Sequence, residues 1–301
     1  MYKLPEYSKA SLRKFRIFLS LVSPFKYGTM LALKLKIAFY QSFRYNRSNK
    51  FKTNIVKEWQ KSAIFPEISS YIAASTPKVA KMIETAPKYS FQEYLGLATK
   101  QALTALREGN YGIGAVYVFR QKGTEYVIGG RNGLISRADT HLHAEQDAID
   151  AIESLARGET TYADRILSKR EAPHEDTEKL LVTSLEPCPM CCARILTHKL
   201  DIVYIGSPDE LGGAMLGGRE MGLPPLWINL SREERLQVVT PNTDDPTSPA
   251  YVNQEHLGLP LEIFLSTREH IDAIMRTKGL ADIHTLPKTI DTLIDAIPNC
   301  V

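Results

Sequence analysis

Cysteine is scarce in this chain, four among 301 residues. Cys188, Cys191 and Cys192 crowd into one short stretch and Cys300 lies at the far end. Such usage does not make a disulfide framework; it suits a reducing compartment, and a cytoplasmic location is expected. Long apolar runs are missing too. Ile17–Phe25 and Tyr27–Leu33 fall short of the roughly 18–20 residues that span a bilayer, and Pro24, Lys26, Lys34 and Lys36 interrupt them. No small-residue cleavage site follows them, so a secretory leader is not expected. There is no internal repeat and no low-complexity tract. A second CxxC and a His-x₃-His pair are both absent, so nothing completes a closed four-ligand structural zinc site around Cys188 and Cys191.

Charge of either sign is not in overall excess, the net being +3, but it is unevenly placed. Residues 1–60 hold 13 Lys and Arg against Glu6 and Glu58, a segment charge of +11 that leaves −8 on the remaining 241 residues. An acidic body with a basic, aromatic-rich arm admits contact with RNA or another polyanion, with an anionic membrane surface, or with a protein. Within the arm, Gly28–Phe43 can form a basic amphipathic helix. Its apolar face could equally dock on the protein's own core or on a second subunit. The chain therefore reads as a basic, mostly helical extension over 1–88, followed by a catalytic domain over 89–301 with a C-terminal elaboration.

What the chain does have is His143-Ala144-Glu145, answered by Glu186-Pro187-Cys188-Pro189-Met190-Cys191. One imidazole and two thiolates suit Zn²⁺, and three protein ligands leave the fourth tetrahedral position open, as in a catalytic site. There the metal would lower the pKa of water toward neutrality. Glu145, two residues past His143, would take and return the proton. A lone CxxC also occurs in redox and structural sites, but the aromatic and Gly-Pro flanks of the redox motif are missing. His-x-Glu followed by Pro-Cys-x-x-Cys is the signature of zinc nucleobase deaminases. Cys192 reads as a packed neighbour, since adjacent residues of a helix point apart. His198 reads as a helix C-terminal cation or a surface residue, and Glu186 as a structural group rather than a second base.

Around these motifs the pattern predicts helices over Glu58–Ala86 and from Ser90, with Ser90 as N-cap, Glu93 as its capping-box partner and Gly109 as the stop. It predicts a strand pair, Ile113–Phe119 and Glu125–Gly130, turning at Gly123. Then follow a helix carrying His143 and Glu145 to about Leu155, a polar surface insertion over 157–178, and a strand over Lys179–Leu185. The cysteine-bearing helix ends near His198, and a strand covers Asp201–Gly206. Gly212, Gly213, Gly217 and Gly218 imply irregular backbone. Residues 240–260 read as a loop and candidate lid, 261–266 as a strand, 268–279 as a helix, and about 286–297 as a short amphipathic helix.

From Ser90 to Met215 the chain resembles the cytidine-deaminase-like superfamily, in the branch of guanine, cytosine, deoxycytidylate and tRNA adenosine deaminases. The resemblance is carried by GAVYV (114–118), Asn132 in GGRNGL, HAEQDAI (143–149), LEPCPMCCARI (185–195) and DIVYIGSPDELGGAM (201–215). It implies an α/β fold, a three-layer α/β/α sandwich on a mixed sheet. Two helix N-termini would bring His143, Cys188 and Cys191 to one Zn²⁺. It further implies that backbone around Ala144 and Cys188 holds the attacked group and that Asn132 bonds the base or sugar. Asn132 could equally be a left-handed turn residue before Gly133. The run Asp139-Thr140-His141-Leu142 departs from the family's smaller residues; Asp139 and His141 are candidate substrate contacts, and His141 could instead cap the helix. Homodimerisation is expected by the same analogy.

These features together imply hydrolytic deamination of an amino-substituted nucleobase, nucleoside or nucleotide, with release of ammonia. One alternative is a tRNA or RNA adenosine deaminase that uses the basic arm. Another is a non-catalytic zinc-binding interaction protein that keeps the fold.

Overall fold

The computed structural model describes residues 57, 60–62, 65–137, 139–216 and 236–277. Most of the basic arm, the pair Gly217–Gly218 and the expected C-terminal helix at 286–297 lie outside the described residues. Among the described residues no helix is long and apolar enough to cross a membrane.

Helix α1 spans Phe65–Glu84 and α2 spans Phe91–Arg107. Ser90 caps α2: its side chain accepts from the Glu93 N–H at 3.2 Å. The Glu93 carboxylate reaches back to the N–H of Tyr89 rather than of Ser90, at 2.7 Å, because the Ser90 N–H already bonds Pro87. Gly109, with φ of 82°, stands just past the helix end, where an L side chain would be strained.

Strands β1 (Gly114–Gln121) and β2 (Thr124–Arg131) form a hairpin with Gln121 opposite Thr124. Its two turn residues, Lys122 and Gly123, have φ of 50° and 68°, the sign that a two-residue turn matched to strand twist requires. The chain continues through α3 (Ala144–Ala156), a single helical turn at Ala163–Arg165, β3 (Ile166–Glu171), β4 (Glu178–Thr183), α4 (Pro189–Thr197) and β5 (Ile202–Ile205). After β6 (Gln237–Val239) the described residues end in α5 (Leu259–Thr277). The six strands order as β3-β2-β1-β4-β5-β6. Pairing is antiparallel from β3 to β4 and parallel from β4 to β6. The sheet is therefore mixed, with helices on both faces.

Alternation along β1 divides the two faces, as the period of two demands. Val116 and Val118 pack with Phe91, Tyr94, Leu95 and Ala98 of α2. Ala115 and Tyr117 pack with Ala144, Ala148 and Ile149 of α3 and Ile195 of α4. Helices α1 and α5 then cover α2 from outside through Ile68, Ile72, Leu103, Leu106, Ile263 and Ile271. Each such fully buried Ile or Leu contributes about 1.5–3 kcal/mol.

The structure corrects three expectations. The segment 157–178 contains the edge strand β3, hidden in the sequence by the charges that an exposed edge carries. Residues 261–266 are not a strand: α5 runs unbroken, because Leu259, Ile263, Thr267 and Ile271 recur every four residues and all are buried. The stretch 240–260 is not a free lid. Ala250 and Val252 are buried on the α2 face with Met82 and Phe91, and Gln92 Oε1 accepts the Asn253 N–H at 2.9 Å. It straps the face opposite α3 and α4.

Candidate metal centre and active site

The two helices of the α3–α4 face begin at the candidate ligands themselves. His143 is the N-cap of α3 and Cys188 the N-cap of α4, with Pro189 directly after it, where its missing N–H costs nothing. N-caps are normally short oxygen side chains that bond the first turn. Here neither side chain makes a cap bond; they turn toward each other instead. His143 Nδ1 stands 3.5 Å from Cys188 Sγ and 3.6 Å from Cys191 Sγ. All three ligand atoms lie within 4.8 Å of one another.

These distances fit zinc. Tetrahedral bonds of about 2.0–2.1 Å to nitrogen and 2.3 Å to sulfur place N and S about 3.6 Å apart. The three groups therefore could hold Zn²⁺ with little movement and leave its fourth position open.

Close packing sets this geometry. A Cβ at Gly130 would stand 2.2 Å from Ala144 O and 2.5 Å from Ala148 N, so only glycine lets α3 lie this near β2. The hydrogen bond between the two thiols holds Cys188 down, at about 4. The same bond, with burial, drives Cys191 up. The helix N-terminus also favours a thiolate there. The hydrogen bond to Cys188 raises His143. Burial pushes the Cys192 thiol up to about 12, and it bonds Pro187 O at 3.4 Å, as befits a packed residue rather than a ligand.

Glu145 is 3% exposed and reaches the centre. Its Oε2 lies 3.4 Å from Cys191 Sγ, and its Oε1 accepts from the Thr183 hydroxyl at 2.9 Å. Burial raises its pKa, and the Thr183 bond opposes the rise. A carboxyl so placed can carry a proton between groups at the metal. Glu186 has a different task. Its carboxylate accepts from the backbone N–H of Asp209, Met215 and Leu216 at 3.0, 2.9 and 2.7 Å, anchoring the glycine-containing loop after β5 beside the cysteine turn.

The remaining candidates sit apart from this set. Asn132 is buried, and its Oδ1 accepts from the Leu134 N–H at 3.3 Å. It is not left-handed: among described residues other than glycine, only Tyr89, Lys122 and Lys199 have positive φ. Ala144 is the buried first residue of α3. Asp139 and His141 are exposed, and Asp139 Oδ1 accepts from the His141 N–H at 3.0 Å. His141 is not the cap of α3, which is His143. Asp139 and His141 line a cavity of about 450 Å³ with Gln146, Met190 and Arg194, which neither the three candidate ligands nor Glu145 enters. His198 is no metal ligand and is not a surface cation: it is half-buried between Tyr117 and Glu153, and burial lowers its pKa. Thr183 was not foreseen, because in a strand sequence its hydroxyl gives no sign of the face it occupies.

Residues 89–207 match the family described as the cytidine and deoxycytidylate deaminase zinc-binding region. A tRNA-specific adenosine deaminase of Buchnera aphidicola subsp. Schizaphis graminum is 30% identical over 115 residues, 38% of this chain and 64% of that protein. A tRNA-specific adenosine deaminase 2 of Danio rerio is 25% identical over 123 residues, 40% of this chain and 51% of that protein. The chain thus spans between half and two thirds of the length of these curated relatives. A solved structure from work on A-to-I editing by tRNA:A34 deaminases is 26% identical, covering 49% of this chain and 95% of that one at a TM-score of 0.36. The mixed α/β sheet and the His-Cys-Cys cluster agree with that zinc-binding region. Residues 89–207 are thus similar to the cytidine deaminase-like superfamily, and His143, Cys188 and Cys191 are positioned as a zinc site.

Proposed function

We propose that the protein catalyses hydrolytic deamination of an amino-substituted nucleobase, nucleoside or nucleotide. The observation that carries this reading is Glu145, a buried carboxyl 3.4 Å from Cys191 Sγ beside three groups spaced for zinc. His143, Cys188 and Cys191 would hold the metal. Zinc would supply Lewis-acid chemistry, bringing water toward ionisation near neutral pH. Glu145 takes a proton from the attacking water and delivers it to a ring nitrogen, then takes the second proton from the hydroxyl now on the ring carbon and passes it to the departing amine. A C–O bond forms, the C–N bond breaks, and ammonia leaves. Backbone N–H groups at the helix starts, at Ala144 and Cys188, which have no partners within their helices, would hold the attacked group. Asn132 would bond the base or sugar, and Asp139 and His141 would meet more distant parts of the substrate.

Ammonia release by the zinc-loaded full chain tests this across guanine, adenine, cytosine, their nucleosides and nucleotides, and bulk tRNA. Glu145→Ala should lose about 10²–10⁴-fold in turnover while keeping zinc. Near-native activity in that variant would end the assignment.

A second reading, adenosine deamination in tRNA, is supported by the names of both curated relatives and by the +11 charge of residues 1–60. Phosphate contacts would make its kcat/KM fall steeply with salt, whereas a free-base enzyme would be nearly salt-indifferent. The expected homodimer and cytoplasmic location are tested by sedimentation and by cell fractionation.

A further inference from the structure

The backbone leaving β2 enters the loop that carries Asn132 and ends at His143, and two buried polar side chains pin this loop. On one side Asn110 Oδ1 accepts from the N–H of Ile135 and Ser136 at 2.9 and 2.8 Å, and its Nδ2 donates to Ser136 Oγ at 2.9 Å. On the other side stands Asp147, one turn along α3 from His143, whose carbonyl accepts the Asp147 N–H at 2.9 Å.

The Asp147 side chain is fully buried. Its Oδ2 accepts from the N–H of Arg131, the residue before Asn132, at 3.0 Å. The same oxygen pairs with Arg165 Nη2 at 2.8 Å, and Arg165 is 2% exposed. Arg137, inside the loop, faces Oδ1 at 3.7 Å. Asp147 Oδ1 and Arg165 Nη1 are both buried without a hydrogen-bond partner.

As a device for stability alone this arrangement is poor. Desolvating an ion pair costs about as much as the attraction returns, and apolar replacements of equal volume are often neutral or stabilising. Two buried atoms without a hydrogen bond, of which Oδ1 has only the longer ion pair to Arg137, add to the cost. What the pair does uniquely is fix one backbone N–H at the root of the Asn132 loop against the helix that carries His143 and Glu145. Arg165 reaches it from the turn before the edge strand, at the first turn of α3.

We propose that Asp147 is a positioning residue for substrate binding: held by Arg165, its carboxylate sets the Arg131–Asn132 backbone relative to His143 and Glu145. This rests on the deaminase reading for its kinetic consequence, not for its structural one. Asp147 touches no reacting atom, so it governs KM rather than the chemical step.

The test is the double variant Asp147→Leu/Arg165→Met, which removes the tether without leaving either charge orphaned. It should fold and bind one zinc as the wild type does. Amide hydrogen exchange across residues 131–142 should quicken by about tenfold, as a local opening that has lost about one net hydrogen bond would, while β1 and β4 stay as protected as in the wild type. KM for the accepted substrate should rise by about tenfold with kcat nearly unchanged. Asp147→Asn alone should give a smaller KM effect, since its amide oxygen still accepts from Arg131. Unchanged exchange in 131–142, or a lower melting temperature with wild-type KM, would overturn the assignment. If the wild type deaminates nothing, the functional reading fails, and the exchange result still decides whether Asp147 tethers the loop.

Discussion

The Thr183 hydroxyl stands 2.9 Å from Glu145 Oε1 and 2.9 Å from the carbonyl of Leu185. It has one hydrogen, so it can donate to only one of them at a time. With Glu145 ionised, Thr183 donates to the carboxylate. With Glu145 protonated, the carboxyl donates to Thr183, which donates to Leu185. Either proton state of Glu145 thus keeps a partner, which suits a group that carries a proton away and back.

Removing that hydroxyl should slow turnover. A bond to a charged group contributes about 1.5–3 kcal/mol, so Thr183→Val, which keeps the volume, is expected to lower kcat by about tenfold or more. KM and zinc content should stay close to wild type, and Thr183→Ser should restore much of the loss. Steady-state kinetics with metal analysis decides it; wild-type kcat in the valine variant would show that Thr183 does not align Glu145.

Zinc should stabilise the fold through its three ligands. Chelation is expected to lower the melting temperature reversibly, by the mass-action term that any ligand specific to the folded state contributes. Cys188→Ser/Cys191→Ser should melt near the chelated wild type and no longer respond to chelator. A double variant that still responds would place the metal elsewhere.

Gly130→Ala should push α3 off β2. The added Cβ would meet backbone atoms of Ala144 and Ala148 at 2.2 and 2.5 Å, and overpacking of this kind costs about 1–3 kcal/mol. Because α3 carries His143 at its start, zinc affinity should fall along with stability. Urea unfolding and zinc titration measure the two losses; a loss of stability without a loss of zinc affinity would mean that α3 moves as the centre moves.

Acid should weaken the α3–α4 face through His198. Its Nε2 lies 3.0 Å from the Tyr117 hydroxyl and its Nδ1 lies 3.2 Å from Glu153 Oε1. In one tautomer Tyr117 donates to Nε2 and Nδ1–H donates to Glu153. Burial lowers the pKa of His198 below its ordinary 6.5, against the pull of Glu153 and with the help of Lys179 and Arg194. The unfolded chain then binds this proton more readily than the folded one. The contribution is present above pH 6.5 and is lost as pH falls through the folded value. Melting curves from pH 8 to 5 should show this loss in the wild type and less of it in His198→Gln; parallel curves would rule His198 out as the source.

The metal centre was legible because its chemistry demands particular residue types at close spacing: His143, Glu145, Cys188 and Cys191 announce themselves in any background. The Ser90 cap and the Gly123 turn were legible for a similar reason, since local backbone geometry selects their residues. Strand β3 was hidden because Lys169, Arg170 and Glu171 belong to an exposed edge and read as loop. Residues 261–266 read as a strand in sequence because six apolar-rich residues fit either period; only the repeat from Leu259 to Ile271 separates them. Thr183 and Arg165 carry no sign of their roles in the sequence, because these depend on partners 38 residues away in one case and 18 (165 − 147) in the other.

His143 and Cys188 are 45 residues apart in the chain, and each begins a helix that follows a different strand. Bridging them closes the α3–β3–β4 excursion into a ring. In chain-entropy terms, closing a loop of that length is equivalent to about 4 kcal/mol taken from the unfolded ensemble. The metal that serves the reaction would then act as a cross-link too, giving a chain with no disulfide among its described cysteines a reversible substitute for one.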